Sequence, residues 1–290
     1  MRLGNELATN GVYHTSLVFF WAYMTMTLVT VFALYMALGA LAGIMAGLFG
    51  IGGGLIIVPV LIFSFGVQGI SPDVAAHLAV GTSLATIVFT SLSSIRSHHK
   101  HGAVRWDIFR PMTVGIVLGA IAGAWTAAFL SGRALQLIIG VFAILVALKM
   151  YLEVNPKPSR DIPGTGGLGA AGVGIGWASA IFGIGGGTLT VPYLSWCNVR
   201  MQNAVGTSAA CGLPIALSGA LGNVWTGWQD PNLPDYSVGF IYLPALVGII
   251  LTSVLFARVG ANLAHRLNAR ILKRIFATVL LIVGLRFLLS

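Results

Sequence analysis

The chain has 290 residues, of which 57% are hydrophobic and 8% charged, and a mean hydropathy of +0.92. A soluble domain carries about 25% charged residues, so the composition argues against a water-soluble fold. The net charge is +9, from 16 Lys and Arg against 7 Asp and Glu. The basic residues cluster in short breaks between apolar runs, which is the positive-inside pattern of a membrane protein and not a nucleic-acid surface.

The first apolar run covers 17–49. Arg2 and the small-residue stretch 37–43 resemble a signal peptide, but the run is too long for one and leads straight into a glycine motif. It is expected to be a membrane segment of the mature chain. Further segments follow at 55–67, 74–95, 109–130 and 133–152, then at 165–182, 188–197, 202–226, 237–257 and 270–289. The pieces 55–67 and 188–197 are shorter than the roughly 20 residues a helical span requires. They are expected to be half-helices, re-entrant pieces or bent spans. Cys197 and Cys211 lie in apolar surroundings without CxxC spacing and read as packing residues.

The two halves are related. "FGIGGG" occurs at 49–54 and 182–187, each copy followed by Val-Pro at 58–59 and 191–192. "AVGTS" occurs at 79–83 and 204–208, and "PMTVGI" at 111–116 resembles "PALVGI" at 244–249. Four landmarks in one order indicate an internal repeat. The polar stretch 153–166, with three prolines, is the expected linker between repeats 1–152 and 167–290.

Loop charge gives orientation. The stretch 96–110 holds Arg96, Lys100, Arg105 and Arg110 and is expected in the cytoplasm, while its counterpart 227–236 holds no Lys or Arg. The stretch 130–134 has Arg133 alone, against five basic residues in 257–274. Lys157 and Arg160, with Lys149 nearby, place the linker in the cytoplasm. Matched loops on opposite sides require an odd number of crossings per half. The expected architecture is therefore an all-α polytopic membrane protein of about ten hydrophobic segments, in two five-segment inverted repeats with broken or re-entrant helices and an external N-terminus. Purely re-entrant short segments would instead make the repeats parallel.

Irregular backbone at membrane depth is tolerated where it is buried in protein or lines a polar cavity. Glycine costs about 1 kcal/mol relative to Ala in a helix, and Pro59 and Pro192 cannot donate a backbone hydrogen bond, although each suits a helix start. A break or bend is expected at 50–59 and 183–192. Freed N–H groups and the helix dipole would attract an anion there. The candidate substrate-binding residues are Gly50, Gly52, Gly53, Gly54 and Pro59 with Gly81, Thr82 and Ser83. Their counterparts are Gly183, Gly185, Gly186, Gly187 and Pro192 with Gly206, Thr207 and Ser208. The plainer reading is close helix packing for the glycines and backbone bonding for the hydroxyls. Packing is the assignment for Gly39, Gly43 and Gly47 and for Gly115, Gly119 and Gly123. A dinucleotide loop is rejected, because Leu55 and Thr188 occupy the third glycine position and no βαβ pattern surrounds them.

Titratable residues inside apolar segments are few. Asp73 and His77 are candidates for coupling, against a helix-start role for Asp73 and a packing role for His77. His98, His99 and His101 read as a hydrated basic loop, not a metal site. Trp225 and Trp228 read as an interfacial belt, and Asn223 as a weak solute contact. No metal and no cofactor is expected, and the absence of Walker, zinc-helix and GxSxG motifs points away from an enzyme.

The paired "GIGGGxxxxP" and "AVGTS" stretches and the layout resemble the sulfite exporter TauE/SafE family of bacterial membrane permeases, from about residue 30 to 289. The resemblance implies an inner-membrane transporter for sulfite, a sulfonate such as sulfoacetate, or a related sulfur-containing anion, and the absence of a Walker motif points to a secondary one. An anion channel or uniporter is the alternative. The expected partners are a small anionic substrate and the lipid bilayer, without nucleic acid; a homodimer is left open.

Overall fold

The computed structural model describes residues 30–44, 54–152, 160–264 and 269–289. The described residues are helical almost throughout. In the first half run α1 (Thr30–Ile44), α2 (Gly54–Val67), α3 (Pro72–Lys100), α4 (Trp106–Phe129) and α5 (Gly132–Tyr151). The second holds α6 (Thr165–Phe182), α7 (Gly187–Trp196), α8 (Met201–Thr226), α9 (Leu243–Ala264) and α10 (Ala269–Leu289). Among the described residues, five helices, α3, α4, α5, α6 and α8, are long and apolar enough to cross a membrane. At 1.5 Å per residue, α2 and α7 reach only about 21 and 15 Å, short of a hydrocarbon core about 30 Å thick.

Small residues decide which helices touch. A Cβ on Gly115 would meet the backbone of Gly169, one on Gly119 that of Val173, and one on Gly123 that of Trp177. Helices α4 and α6 therefore run parallel at close range. Gly39 meets Ile249 and Thr252, Gly43 meets Ser253, and Gly248 meets Tyr35, so α1 and α9 repeat the same parallel contact. Such small-residue seams suit a medium in which apolar burial does not drive association. Packing is thus the role of Gly39, Gly43, Gly115, Gly119 and Gly123; Gly47 lies outside the described residues.

Two other pairs run antiparallel. Gly81 of α3 faces Asn223 of α8, Gly219 faces Leu84, and Gly212 faces Ser91. In the α5–α10 pair, Arg133 donates to the Phe287 carbonyl, Gly140 meets Gly284 and Phe287, and Tyr151 bonds Thr278.

Several boundaries differ from the sequence reading. Segment 237–257 begins as a β-hairpin, with β1 (Ser237–Val238) antiparallel to β2 (Ile241–Tyr242), and becomes helical at Leu243. Gly239 (φ 54°) forms its turn and Tyr236 (φ 65°) its entry. Helix α3 runs on to Lys100, so His98 and His99 occupy its last turn and His101 caps it; they are not a loop. Pro59 and Pro192 do not open their helices, which begin five residues earlier, at Gly54 and Gly187. Helix α6 takes up the last two positions of the expected linker.

Candidate functional site

The second glycine motif is a true helix break. Gly183 closes α6 in the left-handed region (φ 64°), where its N–H and that of Ile184 return to the last-turn carbonyls of Ala180 and Ser179. Glycine occupies that region without a Cβ penalty. After Ile184 and Gly185 the chain restarts as α7, with Thr190 N–H bonded to the Gly186 carbonyl at 2.8 Å. The first N–H groups of a helix have no partner within it and carry the positive end of its dipole.

Three elements converge on this break. From α2, a Cβ on Gly54 would lie 2.7 Å from the Gly183 carbonyl oxygen and 3.0 Å from Ile184 Cα. The two motifs therefore meet in space. From α3, the Ser83 hydroxyl donates to the Gly183 carbonyl at 2.7 Å. From α8, a Cβ on Gly186 would lie 2.6 Å from the Ser208 carbonyl and 3.4 Å from its hydroxyl. Gly185 faces the Ile87 side chain at 3.4 Å, ordinary packing distance. Gly50, Gly52 and Gly53 lie outside the described residues.

The hydroxyls around the break are mostly unsatisfied. Ser179, Thr188, Thr190 and Ser208 are buried at their oxygens and have no hydrogen-bond partner among the described residues. Ser179 and Thr190 are fully buried and Ser208 is 1% exposed. A buried hydroxyl without a partner carries a desolvation cost of about 1–3 kcal/mol, and a bound polar solute would remove it. Ser179, Thr188 and Thr190 escaped the sequence reading. The available signal was the difference between the copies: "GTLTVP" at 187–192 has hydroxyls where "GLIIVP" at 54–59 has Leu55 and Ile57.

Within each VGTS stretch the two hydroxyls point to different tasks. The serines face the break. The threonines hold backbone of the opposite half: Thr82 accepts from Tyr242 N–H at 2.9 Å, and Thr207 accepts from Arg105 N–H at 2.9 Å. The glycine before each threonine lets a carbonyl approach. Gly81 sits against the Phe240 carbonyl, and a Cβ on Gly206 would lie 2.7 Å from that of Ala103. Pro59 is buried within α2 and Pro192 half-buried within α7.

The remaining candidates lie elsewhere. Ser71 caps α3, and exposed Asp73 supplies the acidic residue of its first turn. His77 is buried and stacked on Phe240 at 4.9 Å, with its ring nitrogens 3.2 Å from the Asp73 carbonyl and 3.0 Å from the Ala127 carbonyl. It ties α3 to the end of α4 and to the hairpin. Asn223 is buried and donates to Gly219, so it is a packing residue. Trp225 and Trp228 are well exposed, as belt residues are.

Helices long and apolar enough to span a membrane, a glycine-opened break and buried hydroxyls around it fit one class, a polytopic helical membrane transporter. The chain belongs to the family described as Sulfite exporter TauE/SafE, which it matches over residues 35–287. It is 36% identical to a probable membrane transporter protein of Haemophilus influenzae, over 90% of this chain and 99% of that one. It is 28% identical to one of Methanocaldococcus jannaschii, covering 88% and 95% of the two chains. It is 26% identical to one of Bacillus subtilis, covering 87% and 96%. No solved structure matches the chain.

Proposed function

We propose that this transporter is a secondary carrier for a small oxyanion, with sulfite, an organosulfonate such as sulfoacetate, or a related sulfur oxyanion as its substrate. The anion is held at the α6–α7 break, between Ser83 and Ser208, by hydroxyls and by the first N–H groups of α7. The observation that carries this reading is the set of buried, unpartnered hydroxyls of Ser179, Thr190 and Ser208 beside a helix start. Discontinuous helices at a repeat interface are where transporter substrates bind.

Repeats 1–152 and 167–290 are related by inverted topology in this reading. The support is directional. Helices α3 and α8, which hold the matched VGTS stretches, run antiparallel, as do α5 and α10. A two-fold axis in the membrane plane gives that direction; one along the membrane normal gives parallel pairs. Alternating access then moves one group of helices against the other. The host membrane is the bacterial inner membrane.

The test is flux. Purified protein in vesicles should move sulfite or sulfoacetate, and Ser208→Ala should lower the rate about tenfold with folding retained, as for one hydrogen bond to a charged group. Wild-type flux in the folded variant would remove the site from the break. Unitary currents without saturation or counterflow would favour the channel reading.

A further inference from the structure

The threonine contacts are crosswise and matched. Thr82, in the first half, holds Tyr242 of the second, and Thr207, in the second half, holds Arg105 of the first. In both cases the held residue immediately precedes or caps a long helix, α9 or α4. In both cases the residue two positions earlier, Phe240 or Ala103, presses its carbonyl against the glycine before the threonine. In both cases that earlier residue is also tied by its own N–H, Phe240 to the Asn223 carbonyl at 3.1 Å and Ala103 to that of His98 at 3.0 Å.

The two held segments enter from opposite faces. The hairpin 237–242 follows the loop without Lys or Arg, on the external side. The segment 101–105 follows the basic last turn of α3, on the side that the loop charges assign to the cytoplasm. Each dips inward: Phe240, Ile241 and Val104 are buried. An open cleft of about 730 Å³, lined in part by Gln68, Asp235 and Tyr236, adjoins the hairpin at Tyr242. The glycine break faces Ser83 and Ser208, the residues next to the two holding threonines.

We propose that Thr82 and Thr207 are paired latches of the transport cycle. Thr82 holds the external plug 237–242 closed over the break, and Thr207 holds the cytoplasmic plug 101–105 closed beneath it. The structure has both latches made, which is the occluded arrangement. Release of one latch opens the break to one face. A single net hydrogen bond is a suitable device, since losing it shifts an equilibrium by about fivefold and not by orders of magnitude. Gly81 and Gly206 are the seats that bring each plug within reach. This inference rests on the two-repeat transport reading, and not on the identity of the anion.

The test reads access, not flux. Gly185→Cys, in a chain whose native cysteines are replaced as Cys197→Ser and Cys211→Ala, places a thiol in the break itself. A membrane-impermeant thiol reagent is applied to right-side-out and inside-out vesicles. The latched protein should react slowly from both faces. Thr82→Val should raise the rate from outside about fivefold and leave the cytoplasmic rate unchanged or lower. Thr207→Val should do the reverse, and Thr82→Ser and Thr207→Ser, which keep the hydroxyl, should react like the parent. Where a valine variant fails to fold, Gly81→Ala or Gly206→Ala displaces the same plug with the hydroxyl retained and should give the same face dependence. Equal acceleration from both faces, the opposite face, or no acceleration overturns the latches. Face-selective labelling in a protein that moves no sulfur oxyanion would leave the latches standing and overturn the substrate. Flux without face selectivity would do the opposite.

Discussion

The two glycine motifs are nearly the same sequence, yet their flanks have opposite character. After the first, Leu55 and Ile57 are buried among apolar neighbours: Leu55 beside Ala143, Ala147 and Phe276, and Ile57 in the main core. After the second, Thr188 and Thr190 stand at the matching positions, their oxygens without a partner among the described residues. The glycine motif is duplicated in the sequence, and its polar lining belongs to the second copy. The first copy supplies close packing at Gly54, and the second a lining of buried hydroxyls. Matched motifs therefore carry unequal linings.

The largest effect expected from this comparison is at Gly186. Gly186→Val drives a side chain into the Ser208 backbone, 2.6 Å from the new Cβ, and should abolish transport and cost about 3 kcal/mol or more of stability. Gly185→Ala, with its nearest neighbour a side chain at 3.4 Å, should keep wild-type stability. Thermal unfolding in detergent compares the two. If they fall together, the break is uniformly crowded and has no room for solute.

Next comes exchange of the linings. Leu55→Thr buries a hydroxyl in an apolar cluster and should cost about 1–3 kcal/mol, with no gain in flux. Thr190→Val removes an unpartnered hydroxyl, so it should lower flux about tenfold while raising the unfolding temperature. A fall in both would mean that Thr190 has a structural partner.

The smallest effect separates the two serines. Ser83→Ala loses its bond to Gly183 and should destabilise by about 0.6–1 kcal/mol, the scale of hydrogen bonds between membrane helices. Ser208→Ala loses no bond among the described residues and should be neutral or slightly stabilising. Equal losses at the two positions would erase the distinction between the serine that holds the break and the one that faces it.

Much of the scaffold was legible in the sequence. Apolar runs announce helices because an unpaired backbone is so costly in hydrocarbon. Glycines at four-residue spacing announce the α4–α6 seam, since i and i+4 share a helix face. The break at 183–186 was visible as glycines that a helix disfavours. Other features carried no local signal. The hairpin at 237–242 sits in a run that hydropathy alone joins to α9. Ser179 is a lone hydroxyl in an apolar run, and helical serines of that kind usually bond their own backbone. His77 stood out as titratable, but its carbonyl partner Ala127 is 50 residues away.

The composition and the repeated motifs announce, without coordinates, a helical membrane protein with matched glycine motifs, and the break at 183–186 is one of them. These are consequences of short-range costs: backbone solvation, helix propensity and side-chain spacing. The division of labour inside "VGTS" is of another kind. Thr82 and Thr207 meet partners 160 and 102 residues away. Neither contact follows from the residues near it. Each exists because the two halves of the chain pack against one another in space, which turns the serine of each stretch to the break and the threonine to backbone of the opposite half.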